Sequence, residues 1–535
     1  MKNLLILLIP ALPFFGTAQV KTSADFSVDV GRPYLVVDAP IKEYFYHNDE
    51  VLSIKIGKLF TVQKFSALSL DEKSRSSIVR KNELPRGYVH EDFLQDGEKI
   101  FEFYNVWDKP NKTEQIFVQE ISFSDPKPKN SKMLFSVAGK LSNYGGGNKI
   151  DLYGSFDRSK ILLVYRKKPI EKRDKLNYDK IGLIVYDGDM NEIWSKEVKM
   201  PYTEAEMDNL GYTLDSKGNA YLLARVRNGE DAHLELLKYS GSDDPDKISI
   251  EAGNKHFPHG ITLKEGDAGK IYCAGFYGEG SSANGIYLSI IETNGIISNE
   301  SFYDIPLEII NKNKSDRAQA KNEKKEGKGK EVGIYELDLD DVIVNSDGSL
   351  ALVGEVYYMK VTTSYNASTK STTTTYHYYY QEIFMCKISR TGDMLWMQKL
   401  PKNQYRKSSG GGVGYGFSMH FNTKVNNYDL SYKYMEKNGS HYLLYLDNVK
   451  NMNLGLNEYP ARHMSGKGGY LTAYKLDDST GDVSKLSLFD MKDVNGIAVY
   501  QFSTDRIIKA SEEEVLLELY KKKKEDILIR IAIQD

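Results

Sequence analysis

The sequence predicts an all-β protein built as a single β-propeller. Three observations predict it: a turn-strand-turn-strand unit that recurs along the chain, an aromatic surplus of 38 Tyr and 21 Phe, and weak helical periodicity throughout. The unit opens on a polar turn containing Gly or Asp, runs into an apolar strand, and pairs it with a second strand that ends in another turn. It is read at 49–70, 96–123, 157–186, 216–239, 266–291, 346–388, 438–476 and 512–533.

In the clearest copies the second strand continues through a turn into a further strand. Tyr186-Asp187-Gly188-Asp189 leads to Ile193-Trp194, and Arg390-Thr391-Gly392-Asp393 leads to Leu395-Trp396-Met397. Four short strands per unit, at intervals of roughly 50 to 90 residues, suit sheets set radially so that none keeps a long free edge. The expected ring has eight blades, with seven as the alternative count. Jelly rolls and stacked sandwiches are the competing architectures. Pro33-Tyr34-Leu35-Val36-Val37 is expected to close the ring by adding a strand to the last blade.

Thr391-Gly392-Asp393-Met394-Leu395-Trp396 reproduces the Thr-Gly-x-x-x-Trp tail of a blade-docking motif, and Asp477 with Thr480-Gly481 reproduces its Asp-x-x-Thr-Gly core. In these residues the chain resembles the quinoprotein-like repeat propellers, a group that includes outer-membrane-assembly scaffolds. The resemblance implies that Trp194, Thr391, Gly392, Trp396, Asp477, Thr480 and Gly481 dock neighbouring blades. Three departures confine it to the fold: Lys485 stands where Trp is expected, Ile388 replaces the Asp, and Trp194 lies two residues too far from Gly188.

The N-terminus reads as a signal peptide. Met1-Lys2-Asn3 is followed by a 12-residue apolar run, Leu4 to Phe15, and by small residues at Gly16 and Ala18. The run is broken by Pro10 and Pro13 and is too short to span a bilayer, which needs about 20 apolar residues. Residues 1–18 are therefore expected to be removed, and 19–535 to form the propeller, exported to the periplasm, the cell surface or the medium. No further apolar stretch is long enough to cross a membrane, which leaves peripheral envelope association open.

A formal net charge of −3 argues against a nucleic-acid binder, whose phosphate contacts need a basic excess. Cys273 and Cys386 lie in apolar strand-like runs and are read as buried free thiols.

The usual catalytic templates fail. His90-Glu91 is followed by Asp92-Phe93-Leu94, which is no zincin helix, and Gly416-Phe417-Ser418-Met419-His420 lacks the second Gly of a nucleophile elbow. Ser465-Gly466-Lys467-Gly468 has no Ser or Thr after the Lys. His256 and His259 lack nearby Cys or carboxylate ligands, and Asp338, Asp340 and Asp341 lack the order of a calcium loop and read as a solvated strand entrance. No catalytic residue, metal or cofactor is assigned.

Three insertions exceed what a blade requires. Residues 311–331 carry eight Lys or Arg against four Asp or Glu and are expected to be a disordered connector. Residues 360–381 are rich in Thr and Tyr and read as an extended hairpin reaching about 26 Å beyond its blade. Residues 405–416 read as a mobile Gly-rich loop. On the hairpin, alternation puts Tyr376, Tyr378 and Tyr380 on one face and His377 and Tyr379 on the other. Tyr365, His377 and Tyr379 are the expected partner-binding residues, since Tyr gives large contact area at modest entropic cost.

The expected function is an exported propeller scaffold that binds a protein or a glycan in the cell envelope. The alternative is a propeller hydrolase or lyase with carboxylates converging at the channel mouth.

Overall fold

The computed structural model describes residues 24–534 apart from 144–147, 170–175, 230, 242–243, 251–257, 410–429, 495, 502–505, 512 and 522–523. Residues 1–18, expected to be a signal peptide, lie outside the described residues.

Two-residue turns punctuate the chain where the sequence supplies residues tolerant of positive φ. Asn48 (φ 45°) and Asp49 (φ 59°) join His47 to Glu50, and Asn438 (φ 48°) with Gly439 (φ 68°) joins Lys437 to Ser440. Such turns match the twist of the strands they connect. Each unit read from the sequence is the central hairpin of an antiparallel sheet; the first, for example, is Glu50–Ile56 paired with Leu59–Ser66.

Among the described residues there are eight sheets of four or more strands, and the chain crosses them in order. They span 41–79 (sheet 1), 88–138 (sheet 2), 150–199 (sheet 3), 207–250 (sheet 4), 258–304 (sheet 5), 337–409 (sheet 6, joined by His463–Met464), 432–490 (sheet 7) and 499–533 (sheet 8, joined by Phe26–Val30 and Tyr34–Leu35). Within sheets 1 to 4 each strand pairs with its sequence neighbour, so every sheet is a simple meander.

Burial explains the arrangement. Central strands such as Ile271–Tyr277 and Gly285–Ile291 are buried at every residue, whereas the outer strand Ile297–Asp304 alternates half-buried and exposed residues. A sheet buried on both faces needs a neighbour on each side. Apolar clusters provide them, joining sheet 1 to 2, 2 to 3, 3 to 4, 4 to 5, 5 to 6, 6 to 7 and 7 to 8, and one more joins sheet 8 to sheet 1. This cycle of seams makes the fold a closed β-propeller.

Closure uses the N-terminus, but chiefly an earlier segment than expected. Phe26–Val30 pairs with the last strand from Phe26 opposite Ile533 to Val30 opposite Ile529; of the predicted residues 33–37, Tyr34 and Leu35 pair with Asp526 and Glu525, and the Val36 amide donates to the Lys524 carbonyl at 3.0 Å. Phe26, Val28 and Val30 alternate into the core, a strand pattern that Pro33 interrupts in the predicted segment. Gly31 then passes so close to Leu70 that a Cβ would lie 2.7 Å from its side chain.

Two insertions also differ from expectation. Within 311–331, expected to be disordered, Asp316–Glu326 is a helix that follows the short helix Leu307–Asn311. Its Ala, Gln, Lys and Glu favour helix, with Asp316 in the first turn and Lys324 and Lys325 in the last complementing the dipole. Asn322 donates to Asn311 (2.7 Å), and Lys399 of sheet 6 donates to the Ile310 carbonyl (2.8 Å), so the pair is tethered to the ring.

Within 405–416, expected to be a loop, Gln404–Ser409 forms a strand paired with Thr375–Tyr380. Residues 410–416 lie outside the described residues. Cys273 and Cys386 are both buried and free; they sit in different seams, and burial pushes the Cys386 thiol up to about 12.

Candidate functional site

The first strands of sheets 2 to 7 and the short strand Ile507–Lys509 of sheet 8 line a central cavity of about 1060 Å³. Asp92, Thr213, Glu265, Asp341, Glu436 and Lys509 each come from a different sheet. Four of these strands carry a register shift at matching places: between His90 and Asp92, Asn209 and Gly211, His259 and Thr262, and Leu339 and Asp341. A bulge re-aims the side chains beside it, and here those beyond the shifts line the cavity.

Both charge signs line this channel, and several of its carboxylates are already engaged. Glu265 accepts from the Phe156 amide (2.5 Å) and from the Ser216 amide and hydroxyl (2.7 and 2.9 Å), stitching sheet 5 to sheets 3 and 4. Burial raises its carboxyl above the usual range, and those hydrogen bonds oppose the rise. Asp341 faces Lys264 at 3.4 Å; burial raises its carboxyl and the ammonium opposes. Glu513 faces Lys437 at 3.5 Å. Of the expected strand-entrance carboxylates, Asp338 is exposed, and the half-buried Asp340 accepts from the half-buried Tyr432 hydroxyl at 2.7 Å.

The carboxyl with the pKa of a general acid lies elsewhere. Burial lifts Glu91 to about 7, against hydrogen bonds from the Lys149 amide and Asn105. It is buried between sheets 2 and 3 and does not line the channel.

The second feature is the ribbon that sheet 6 extends beyond the ring. Leu350–Asn366 and Ser371–Ile388 run 17 and 18 residues, paired as far as Asn366 opposite Ser371. The ribbon is anchored at its base by the buried pair Lys402–Glu355, with Ser431 donating to Glu355 at 2.7 Å. Tyr378 and Tyr380 are buried with Leu430, and Tyr357, Met359 and Tyr376 pack around them. Gln404–Ser409 lies along the ribbon: His377 Nδ1 meets the Tyr405 hydroxyl at 2.7 Å and His377 Nε2 meets Thr362 at 2.9 Å. Tyr379 stacks on Tyr358, ring centres 4.6 Å apart, beneath the Arg462 guanidinium.

The register separates the three expected binding residues. Tyr365 pairs with Thr372 and His377 with Lys360, which puts Tyr365 on the Tyr376 face and leaves His377 and Tyr379 on the other. Tyr365 is 66% exposed and Val361, on the same face, 51%. Sequence alternation alone could not relate the two arms, because their relative register depends on where the turn falls.

Of the expected docking residues, Trp194, Thr391, Gly392, Trp396 and Gly481 meet another sheet across a seam, whereas Asp477 and Thr480 bond within their own turn. Trp396 of sheet 6 donates to the Asp478 carbonyl of sheet 7 (2.9 Å) and packs on Gly481, whose Cβ would lie 2.6 Å from the indole. Trp194 of sheet 3 donates to the Gly218 carbonyl of sheet 4 (2.8 Å) and packs on Gly241. The turn at Thr391 and Gly392 receives Asn299 and Tyr303 of sheet 5. Asp477 caps its own turn, accepting from the Ser479 and Thr480 amides at 2.9 Å each. The side chains of His256 and His259 lie outside the described residues. Among the described residues no cluster of metal-ligating side chains is present, and no helix is long and apolar enough to cross a membrane.

Comparison with known proteins adds likenesses of shape. No protein-family model matches the chain, and no curated protein matches it. Among solved structures, the WD40 domain of SCAP from fission yeast is similar at a TM-score of 0.40 and 9% identity, covering 97% of this chain and 98% of that one. A polysaccharide lyase, Uly1, is similar at 0.35 and 9%, covering 83% and 90%. Prolyl oligopeptidase B from Galerina marginata is similar at 0.36 and 9%, covering 94% of this chain and 55% of that one.

Proposed function

We propose that this protein is an exported binding scaffold of the cell envelope, a propeller of the quinoprotein-like kind that meets a protein or glycan partner through its ribbon. The observation that carries this reading is the ribbon tip, where Val361 and Tyr365 are exposed on one face of a paired strand, outside the core clusters. Exposed aromatic surface of this kind marks interaction sites. Kinship to the quinoprotein-like repeats is supported by the indoles of Trp194 and Trp396, each seated on a Gly turn of the next sheet. Export is supported by the N-terminal apolar run and the small residues after it.

We place hydrolysis second, because three of the six carboxylates that line the channel are engaged. Its carboxylates Glu265, Asp341 and Glu513 are held by amides or ammonium groups. A glycosidase needs two carboxyl groups set on either side of a scissile bond.

The test is to join Thr362 to Thr375 through a short Asn-Gly turn. This removes the exposed tip and spares the Tyr378, Tyr380 and Leu430 cluster and the strand at Gln404–Ser409. The trimmed protein is expected to fold and to lose the partners that co-purify with the native protein. Recovery of the same partners at the same level overturns the reading.

A further inference from the structure

The ribbon has an edge as well as two faces. The strand Leu337–Val344 pairs with Leu350–Asn366 only as far as Val356, and among the described residues no strand continues alongside 361–366. The Tyr357 amide donates away from the hairpin, to the Glu336 carbonyl at 2.9 Å, and the pairing with Ser371–Ile388 is regular from Tyr357 to Asn366. Backbone direction alternates along a strand, so the N–H and C=O groups of Val361, Thr363 and Tyr365 point outward from the same edge.

Native proteins blunt such edges with Pro, Lys or a bulge. Residues 361–366, Val-Thr-Thr-Ser-Tyr-Asn, contain none of these.

We propose that this edge pairs with the same edge of a second copy of the chain, antiparallel about a two-fold axis at Thr363. In that register Val361 lies opposite Tyr365 of the second copy, Thr362 opposite Ser364, Lys360 opposite Asn366, and Thr363 opposite itself. Each outward-facing residue meets another outward-facing residue, as a hydrogen-bonded antiparallel pair requires. The side chains agree with the backbone: a β-branched residue meets an aromatic one, hydroxyl meets hydroxyl, and no like charges are opposed. The two exposed apolar side chains of the tip cover each other, and the faces of the two ribbons become one continuous sheet.

A ladder this short is at the small end of protein interfaces, so the dimer is a reversible, concentration-dependent one. It does not depend on the foreign partner argued above, whose failure would show in co-purification and leave self-association untouched.

Sedimentation velocity of the mature chain over a range of concentrations tests it, with Thr363→Lys, Thr363→Glu and their equimolar mixture. Thr363 is exposed and lies outside every core cluster, so both variants should fold, which circular dichroism checks. The native protein is expected to dimerise, each variant alone to dimerise about tenfold more weakly because like charges face each other, and the mixture to recover the native affinity as a heterodimer. A native chain that stays monomeric, a dimer that neither variant weakens, or a mixture no tighter than its components would each overturn the proposal.

Discussion

Two seams of the ring are built on opposite plans. Between sheets 6 and 7 the centre is apolar, with Val353, Met385 and Leu400 against Leu443, Tyr445 and Leu476. Lys387 and His441, both buried, meet Asp478, itself a quarter exposed, and the buried pair Lys402–Glu355 lies towards the ribbon. Between sheets 8 and 1 the apolar cluster is smaller, and Lys55, Glu518 and Asp526 are wholly buried at its centre. Glu518 takes Lys55 at 2.5 Å and the hydroxyls of Tyr34 and Tyr44 at 2.8 and 2.5 Å, while Arg506 reaches Asp526 at 3.3 Å.

Sheets 6 and 7 are consecutive in the chain; sheets 8 and 1 hold its two ends. A buried ion network adds little net stability compared with apolar packing, but each charge is satisfied in only one alignment. Tyr34 belongs to the segment that follows the closing strand, so the network also reads whether that strand is in place.

The largest expected effect is removal of residues 26–35. Phe26, Val28 and Val30 would leave the core together, and at roughly 1.5–3 kcal/mol for each buried side chain the loss is on the order of 5 kcal/mol or more. Calorimetry should show a single transition at a much lower melting temperature. An unchanged curve would mean that the ring does not depend on this strand.

Next comes Glu518→Gln, which takes the nearest carboxylate from the buried Lys55 and leaves Arg506 with Asp526 alone. Urea unfolding at neutral pH should show a loss of about 3–5 kcal/mol. Burial alone would raise the Glu518 carboxyl, but Lys55 and Arg506 outweigh it and hold it at about 2. The free group titrates near 4.3, so the stabilisation is complete above about pH 4.3 and is lost as pH falls towards 2. The native protein should lose stability across that window and the Gln variant should lose less of it; parallel profiles would remove Glu518 from the account.

Leu443→Ala tests the other plan. Leu443 is fully buried in the seam between sheets 6 and 7, and a cavity there should cost about 2–4 kcal/mol. Because no titrating group is involved, the difference from native should stay constant between pH 7 and pH 3. A pH-dependent difference would show that the two seams are not distinct in kind. The smallest effect is expected for Trp396→Phe. It removes one hydrogen bond to the Asp478 carbonyl and should cost about 1 kcal/mol.

The sequence by itself determined the repeat. Turn residues with positive φ and apolar central strands mark each hairpin locally, and all eight hairpins stand where those signals put them. Trp396 was legible as a docking residue from the Thr391-Gly392 turn four residues before it, whereas Trp194, two residues too far from Gly188, was placed by the recurring turn-strand order of the unit.

What only the tertiary structure decided is which distant segments meet. The choice of Phe26–Val30 over residues 33–37 depends on what the last strand presents five hundred residues later, and the strand at Gln404–Ser409 exists because Thr375–Tyr380 offers it an edge. Lys55 and Glu518 each sit in an apolar strand run, where a lone charge looks like an error until its partner is known. Likewise the faces of the ribbon follow from side-chain alternation, but the placing of Tyr365 with Tyr376, and not with His377 and Tyr379, follows from inter-strand register. Alternation is a property of one strand, whereas register belongs to the pair.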